Sequence, residues 1–172
     1  MPASPSVPVS PARRAEPLQR LLFGGIYGTI LASALAAALD NDNGSPDPGY
    51  DALWVLLTSL ASAAAHGYAH AIAHRTADGV PVTSSTVRSV LTEWPLAAAV
   101  LPTVAALLGA HAGWWGEESA IVFSLGINTV ALFGWGLWAA RVAGRSWGRA
   151  SRTGGVDMLI GLLIVAANIL SH

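Results

Sequence analysis

Hydrophobic and polar positions fall into long blocks along this chain, not into the two-residue alternation of a half-buried strand. Apolar runs cover about residues 18–39, 52–74, 94–112, 119–142 and 156–170, and charged or turn-forming residues lie almost wholly between them. A helix advances only about 1.5 Å per residue, so a run near twenty apolar residues is what crossing a bilayer core requires. The pattern predicts an all-α protein, a polytopic membrane bundle of five transmembrane helices. Between the second and third runs, Val82–Leu91 fits a short helix lying along the membrane surface.

Composition supports this frame. The 172 residues are 53% hydrophobic and 11% charged, where a soluble domain carries about a quarter charged residues. There is no cysteine, which excludes disulfides, thiolate metal sites and iron–sulfur clusters. A net charge of −1 argues against a nucleic-acid partner; the partners expected are the lipid bilayer and other copies of the chain. Residues 1–16, with repeated proline and serine, read as a disordered cytoplasmic tail, leaving 17–172 as one membrane domain. A signal peptide competes for the first run because Ala32-Ser33-Ala34 mimics a cleavage site. The run exceeds the ~7–15 residues of a signal core, which favours a retained span.

Details within the runs refine the picture. Gly24, Gly28, Ala32 and Ala36 stand at four-residue steps and form a ridge of small residues for close helix packing; Gly136, Ala140 and Gly144 form a second. Pro95 suits a first helical turn, whereas Pro102 is interior and should bend its helix. The loop at 40–51 holds Asp40, Asp42, Asp47 and Asp51, but lacks the glutamate a calcium loop needs, and reads as a solvated connector. With the N-terminus cytoplasmic and the C-terminus outside, all nine basic residues, every one an arginine, fall on the inner side. The expected location is a bacterial cytoplasmic membrane.

One stretch could carry chemistry. His66, His70 and His74 recur every fourth residue and share a helix face with Ser59 and Ser62, opposite Leu53, Trp54, Leu57, Leu60, Tyr68 and Ile72. The expectation is an apolar side toward lipid and a polar side turned into the bundle. The same topology places Glu93 and Asp157 in the inner layer with the histidines. Ionisable groups at membrane depth are costly and tend to mark function, so His66, His70, Glu93 and Asp157, with Asn128 mid-span, are the candidate ion or proton pathway. His66, His70 and Glu93 are also the candidate metal ligands, although the His-Glu-x-x-His motif is missing.

Ile26-Tyr27-Gly28-Thr29, Ala65-His66-Gly67-Tyr68-Ala69-His70 and Glu93-Trp94-Pro95 resemble motifs of a group of small five-span integral membrane proteins of actinobacteria, described only as uncharacterised. The resemblance implies the five-span plan and no activity. The plan is also similar to that of vacuolar iron transporter-like proteins, but no acidic, methionine-rich helix follows the second run. Three readings stay open. The first is a proton- or cation-linked transporter or channel, expected to work as an oligomer because five short helices leave little room for a pore. The second is a structural or partner-binding protein that packs through its small ridges. The third is a metal- or haem-binding protein, though no cofactor is the leading expectation. No phosphate loop, nucleophile motif or dinucleotide fingerprint points to an enzyme.

Overall fold

The computed structural model describes residues 11–40, 46–78 and 91–170, with side chains from residue 17 in the first segment and up to residue 73 in the second. The described residues form, in order, α1 (Pro11–Asp40), α2 (Pro48–Asp78), α3 (Trp94–Ala98), α4 (Leu101–His111), α5 (Glu117–Val142) and α6 (Trp147–Leu170). Among the described residues there is no strand. Five stretches of the described residues are long and apolar enough to cross a membrane: Pro17–Asp40, Pro48–Ala73, Trp94–His111, Glu117–Val142 and Trp147–Leu170. The surface helix expected at Val82–Leu91 lies almost wholly outside the described residues.

Helix ends differ from the hydropathy boundaries, each for a local reason. α1 begins at Pro11, inside the segment expected to be a disordered tail. α2 begins at Pro48 because Asp47 caps it: the Tyr50 amide donates to Asp47 Oδ1 at 3.1 Å, and Pro48 occupies the first turn where its missing N–H is not needed. α6 begins at Trp147, well before Val156, with the Ala150 amide donating to the Ser146 carbonyl at 2.9 Å. Arg149 and Arg152, expected in a loop, therefore stand on its first turns. Arginine is a good helix former, and hydropathy registers only the part of a helix that lies in the apolar layer.

The third span is interrupted just before Pro102, at Ala99 and Val100, which themselves stay in the right-handed helical region. α3 ends at Ala98 and α4 restarts at Leu101, so Pro95 and Pro102 each fall in a first helical turn. Proline offers no amide, and a position in a first helical turn is where none is needed. α4 and α5 both end on a left-handed glycine. Gly113 has φ 77° and Gly144 φ 74°, with Trp114 N–H donating to the Gly109 carbonyl and Arg145 N–H to the Ala140 carbonyl, both at 3.0 Å. Gly144 is thus a helix cap, not a member of the second ridge.

α1 runs through the middle of the bundle. Its Gly24 and Gly28 meet α3, where a Cβ at Gly24 would lie 3.0 Å from Leu96 N and Pro95 Cβ. One residue around the helix, Gly25 lies under the Trp135 indole of α5, and farther along Ala32, Leu35, Val55, Val104 and Leu107 make an apolar core between α1, α2 and α4. α5 and α6 form an antiparallel pair: Gly154 packs on Phe133 and Leu137, and Gly161 on Thr129. The buried hydroxyls of Thr29, Ser33, Ser59, Ser124 and Thr129 each donate to the carbonyl four residues back, at 2.7–2.9 Å. That satisfies them within their own helix, as an interior without water demands.

Candidate functional site

The face of α2 that packs into the bundle is a row of small residues. Ala52, Val55, Ser59, Ala63, Gly67 and Ala71 are buried, whereas His66 is half-buried and His70 exposed. The expectation that the histidine face turns inward is therefore corrected: the histidines lie on the flank of the buried stripe. Small side chains let helix backbones approach closely, so they take the contact and displace imidazole to its edge. Leu53, Trp54, Leu57, Leu60, Tyr68 and Ile72 are all exposed, as expected of a lipid-facing side.

At that flank four rings meet. Phe23 and Tyr27, one turn apart on α1, stack nearly parallel with centroids 5.9 Å apart and planes at 10°. The His66 ring sits against both, 5.2 Å from Phe23 and 5.3 Å from Tyr27, and His70 meets His66 edge-on at 5.5 Å. The aromatic rings fix the imidazole of His66 at the α1–α2 seam, while His70 stays open to the surroundings. The two histidines are held together by helical spacing alone, since residues four apart are surface neighbours. The side chain of His74, next in the series, lies outside the described residues.

The other candidates occupy different surroundings. Glu93 is 5% exposed; its carbonyl accepts from Leu96 N–H at 3.1 Å, and its side chain does not cap α3. It belongs to the same end of the bundle as the histidines, because Arg20 of α1 donates to Thr92 Oγ1 at 3.0 Å and Pro95 rests on Gly24, next to Phe23. Asp157 projects from α6 over Gly136, filling the space a Cβ there would take. α6 packs on α5 and α1, whereas α2 packs on α4, α1 and α3, so Asp157 and His66 have different neighbours. Asn128 is fully buried and donates from Nδ2 to Thr103 Oγ1 at 3.0 Å, joining α5 to α4.

Among the described residues no three His, Asp or Glu side chains come together as a group that could hold a metal. The expected set of His66, His70 and Glu93 does not assemble: α3 presents Pro95 and Leu96 to α1, and the His66 ring is taken up by Phe23 and Tyr27. The small ridges have partners inside the chain. Gly24, Gly28 and Ala32 are covered by α3 and the apolar core, Gly136 by Asp157 and Gly154, and Ala140 is buried. Two residues gain weight that composition gave no hint of, Phe23 and Tyr27; their four-residue step puts them on one face of α1, and only the docking of α2 brings His66 against it.

These features define a class: a multi-pass helical membrane protein, with five helices long and apolar enough to span a membrane among the described residues. Comparison with protein-family models, with curated proteins and with solved structures gives no match.

Proposed function

We propose that this chain resides in a bacterial cytoplasmic membrane and passes protons or small cations through the His66–His70 pair. The observation that carries the reading is the pair itself, two imidazoles in ring contact at 5.5 Å on a helix of membrane-spanning character. Imidazole gains and loses its proton near neutral pH, and ionisable groups are retained at membrane depth chiefly where they serve a pathway. Counted from Arg75 at 1.5 Å per residue, His66 lies roughly 13 Å toward the bilayer centre. His70, being exposed, exchanges the proton or cation with one side, and His66 hands it inward. Glu93, buried at the same end of the bundle, is the acidic residue of the proposed pathway. In this reading the N-terminus is cytoplasmic and the arginines face inside.

Asn128 and Asp157 are engaged in helix packing and take no part in the pathway. The small ridges already contact the chain's own helices, which weakens the case for a scaffold binding other proteins through them.

Purified protein in liposomes with an internal pH dye, and separately with a dye for divalent cations, tests the reading. The wild-type chain should dissipate an imposed gradient, His66→Ala and His70→Ala should each abolish this, and Glu93→Gln should slow it. Equal flux in the wild type and the double histidine variant, or none beyond that of empty liposomes, overturns the proposal.

A further inference from the structure

The exposed face of α6 is continuous from a cationic head to an apolar tail. At 100° per residue, Arg149, Arg152, Val156, Leu159, Ile160, Leu163 and Leu170 fall within one third of the helix circumference. All are exposed, Val156 by 61% and Leu163 by 69%, while Ala150, Gly154, Gly161 and Asn168 on the opposite face are buried. The head of the stripe adjoins further positive charge. Arg145 lies just before the helix, and Arg141 closes α5 with its guanidinium carbon 4.4 Å over the Trp147 ring. From Ser119 to Val156 the chain carries these four arginines and no carboxylate. Trp147, 65% exposed beside them, is the kind of side chain that settles at the boundary between headgroups and acyl chains.

We infer that this face binds an anionic phospholipid, with its phosphate against Arg145, Arg149 and Arg152 and an acyl chain along Val156, Leu159, Ile160 and Leu163. The charge supplies the headgroup preference, and the apolar stripe requires that the phosphate be joined to a chain. Arginine suits this role because its guanidinium presents a planar fork of donors to phosphate oxygens. Each basic residue at a membrane surface contributes about 1 kcal/mol toward anionic lipid, roughly a fivefold change in affinity.

Native mass spectrometry of the full chain in detergent tests the inference, with phosphatidylglycerol, phosphatidylcholine of the same acyl chains and inorganic phosphate added separately at equal concentration. The expected result is a bound phosphatidylglycerol that survives activation, with phosphatidylcholine retained at least tenfold less and phosphate no better. Arg149→Gln with Arg152→Gln should lower phosphatidylglycerol occupancy by an order of magnitude or more, while Leu163→Ala weakens it with no change in headgroup preference. Arg13→Gln with Arg14→Gln, elsewhere in the chain, should leave it unchanged. Equal retention of the two lipids, full retention by the Arg149/Arg152 variant, or phosphate binding as well as the lipid would each overturn the proposal.

Discussion

Substitution of Gly28 reads the contact between α1 and α3 directly. A Cβ at this position would lie 2.8 Å from Ala99 Cβ and 3.1 Å from the Leu96 carbonyl carbon, with the Leu96 carbonyl oxygen nearer still. Carbon atoms in contact sit about 3.5–4.0 Å apart, so the helices must part by close to 1 Å. The obstructing atoms are backbone and a Cβ, which no rotamer change can move. Overpacking of this kind costs about 1–3 kcal/mol, offset in part by the ~1 kcal/mol that alanine gains over glycine inside a helix. Gly126 and Gly134 on α5 isolate the clash, because nothing lies within 4 Å of a Cβ at either. Gly28→Ala should therefore be about 1–3 kcal/mol less stable than Gly126→Ala or Gly134→Ala. Gly24→Ala, with its nearest atoms at 3.0 Å, should fall between. Unfolding in mixed micelles of mild detergent and dodecyl sulfate, followed by circular dichroism, gives the ranking. Equal stability of Gly28→Ala and Gly126→Ala would refute the close approach of α1 to α3.

Other substitutions test separate elements. Asn128→Ala and Thr103→Ala, alone and together, should show a coupling of about 0.6 kcal/mol and at most ~1.7 in the same unfolding assay, the range of interhelical hydrogen bonds in membranes. Asp47→Ala removes the cap of α2 and should cost ~1 kcal/mol, seen in hydrogen exchange as earlier opening of Tyr50 and Asp51 amides. Gly144→Ala forces a left-handed residue to carry a Cβ; although no atom crowds it, it should lower stability by about 1–2 kcal/mol, unlike Gly148→Ala nearby, which is equally uncrowded and has no positive φ.

Hydropathy located the five membrane-length helices because crossing a bilayer imposes one length and one composition on each. It did not place their ends, which depend on a few polar groups. Asp47-Pro48 announces the start of α2 as plainly as any cap can, but it lies inside an acidic loop that looked like a connector. The Trp147 start of α6 lies among arginines, where apolar character gives no signal. The site was legible as residues and not as an arrangement. A four-residue histidine step guarantees that His66 and His70 share a face, but the direction of that face depends on which stripe of α2 packs best. The adjoining series Ala63, Gly67 and Ala71 was visible in the same stretch and takes the contact, together with Ser59 of the histidine face, because these side chains are small. Shared depth likewise implied that Asp157 could join the histidines. Depth fixes one coordinate only, and the order of helices around α1, which separates α2 from α6, is written in distant pairs such as Gly25–Trp135 and Gly136–Asp157.

In the proposed topology five crossings bring every arginine to one side, and labelling of single cysteines tests this most directly. The chain has no cysteine of its own, so each introduced thiol is the only target. Ala112→Cys lies between α4 and α5, and Ser146→Cys between α5 and α6; both positions are exposed. In right-side-out vesicles a membrane-impermeant maleimide should label Ala112→Cys at once, and Ser146→Cys only after the membrane is opened. Labelling of Ser146→Cys from outside, or of both sites alike, would contradict the topology and with it the placing of His66 and His70 in the inner half of the membrane.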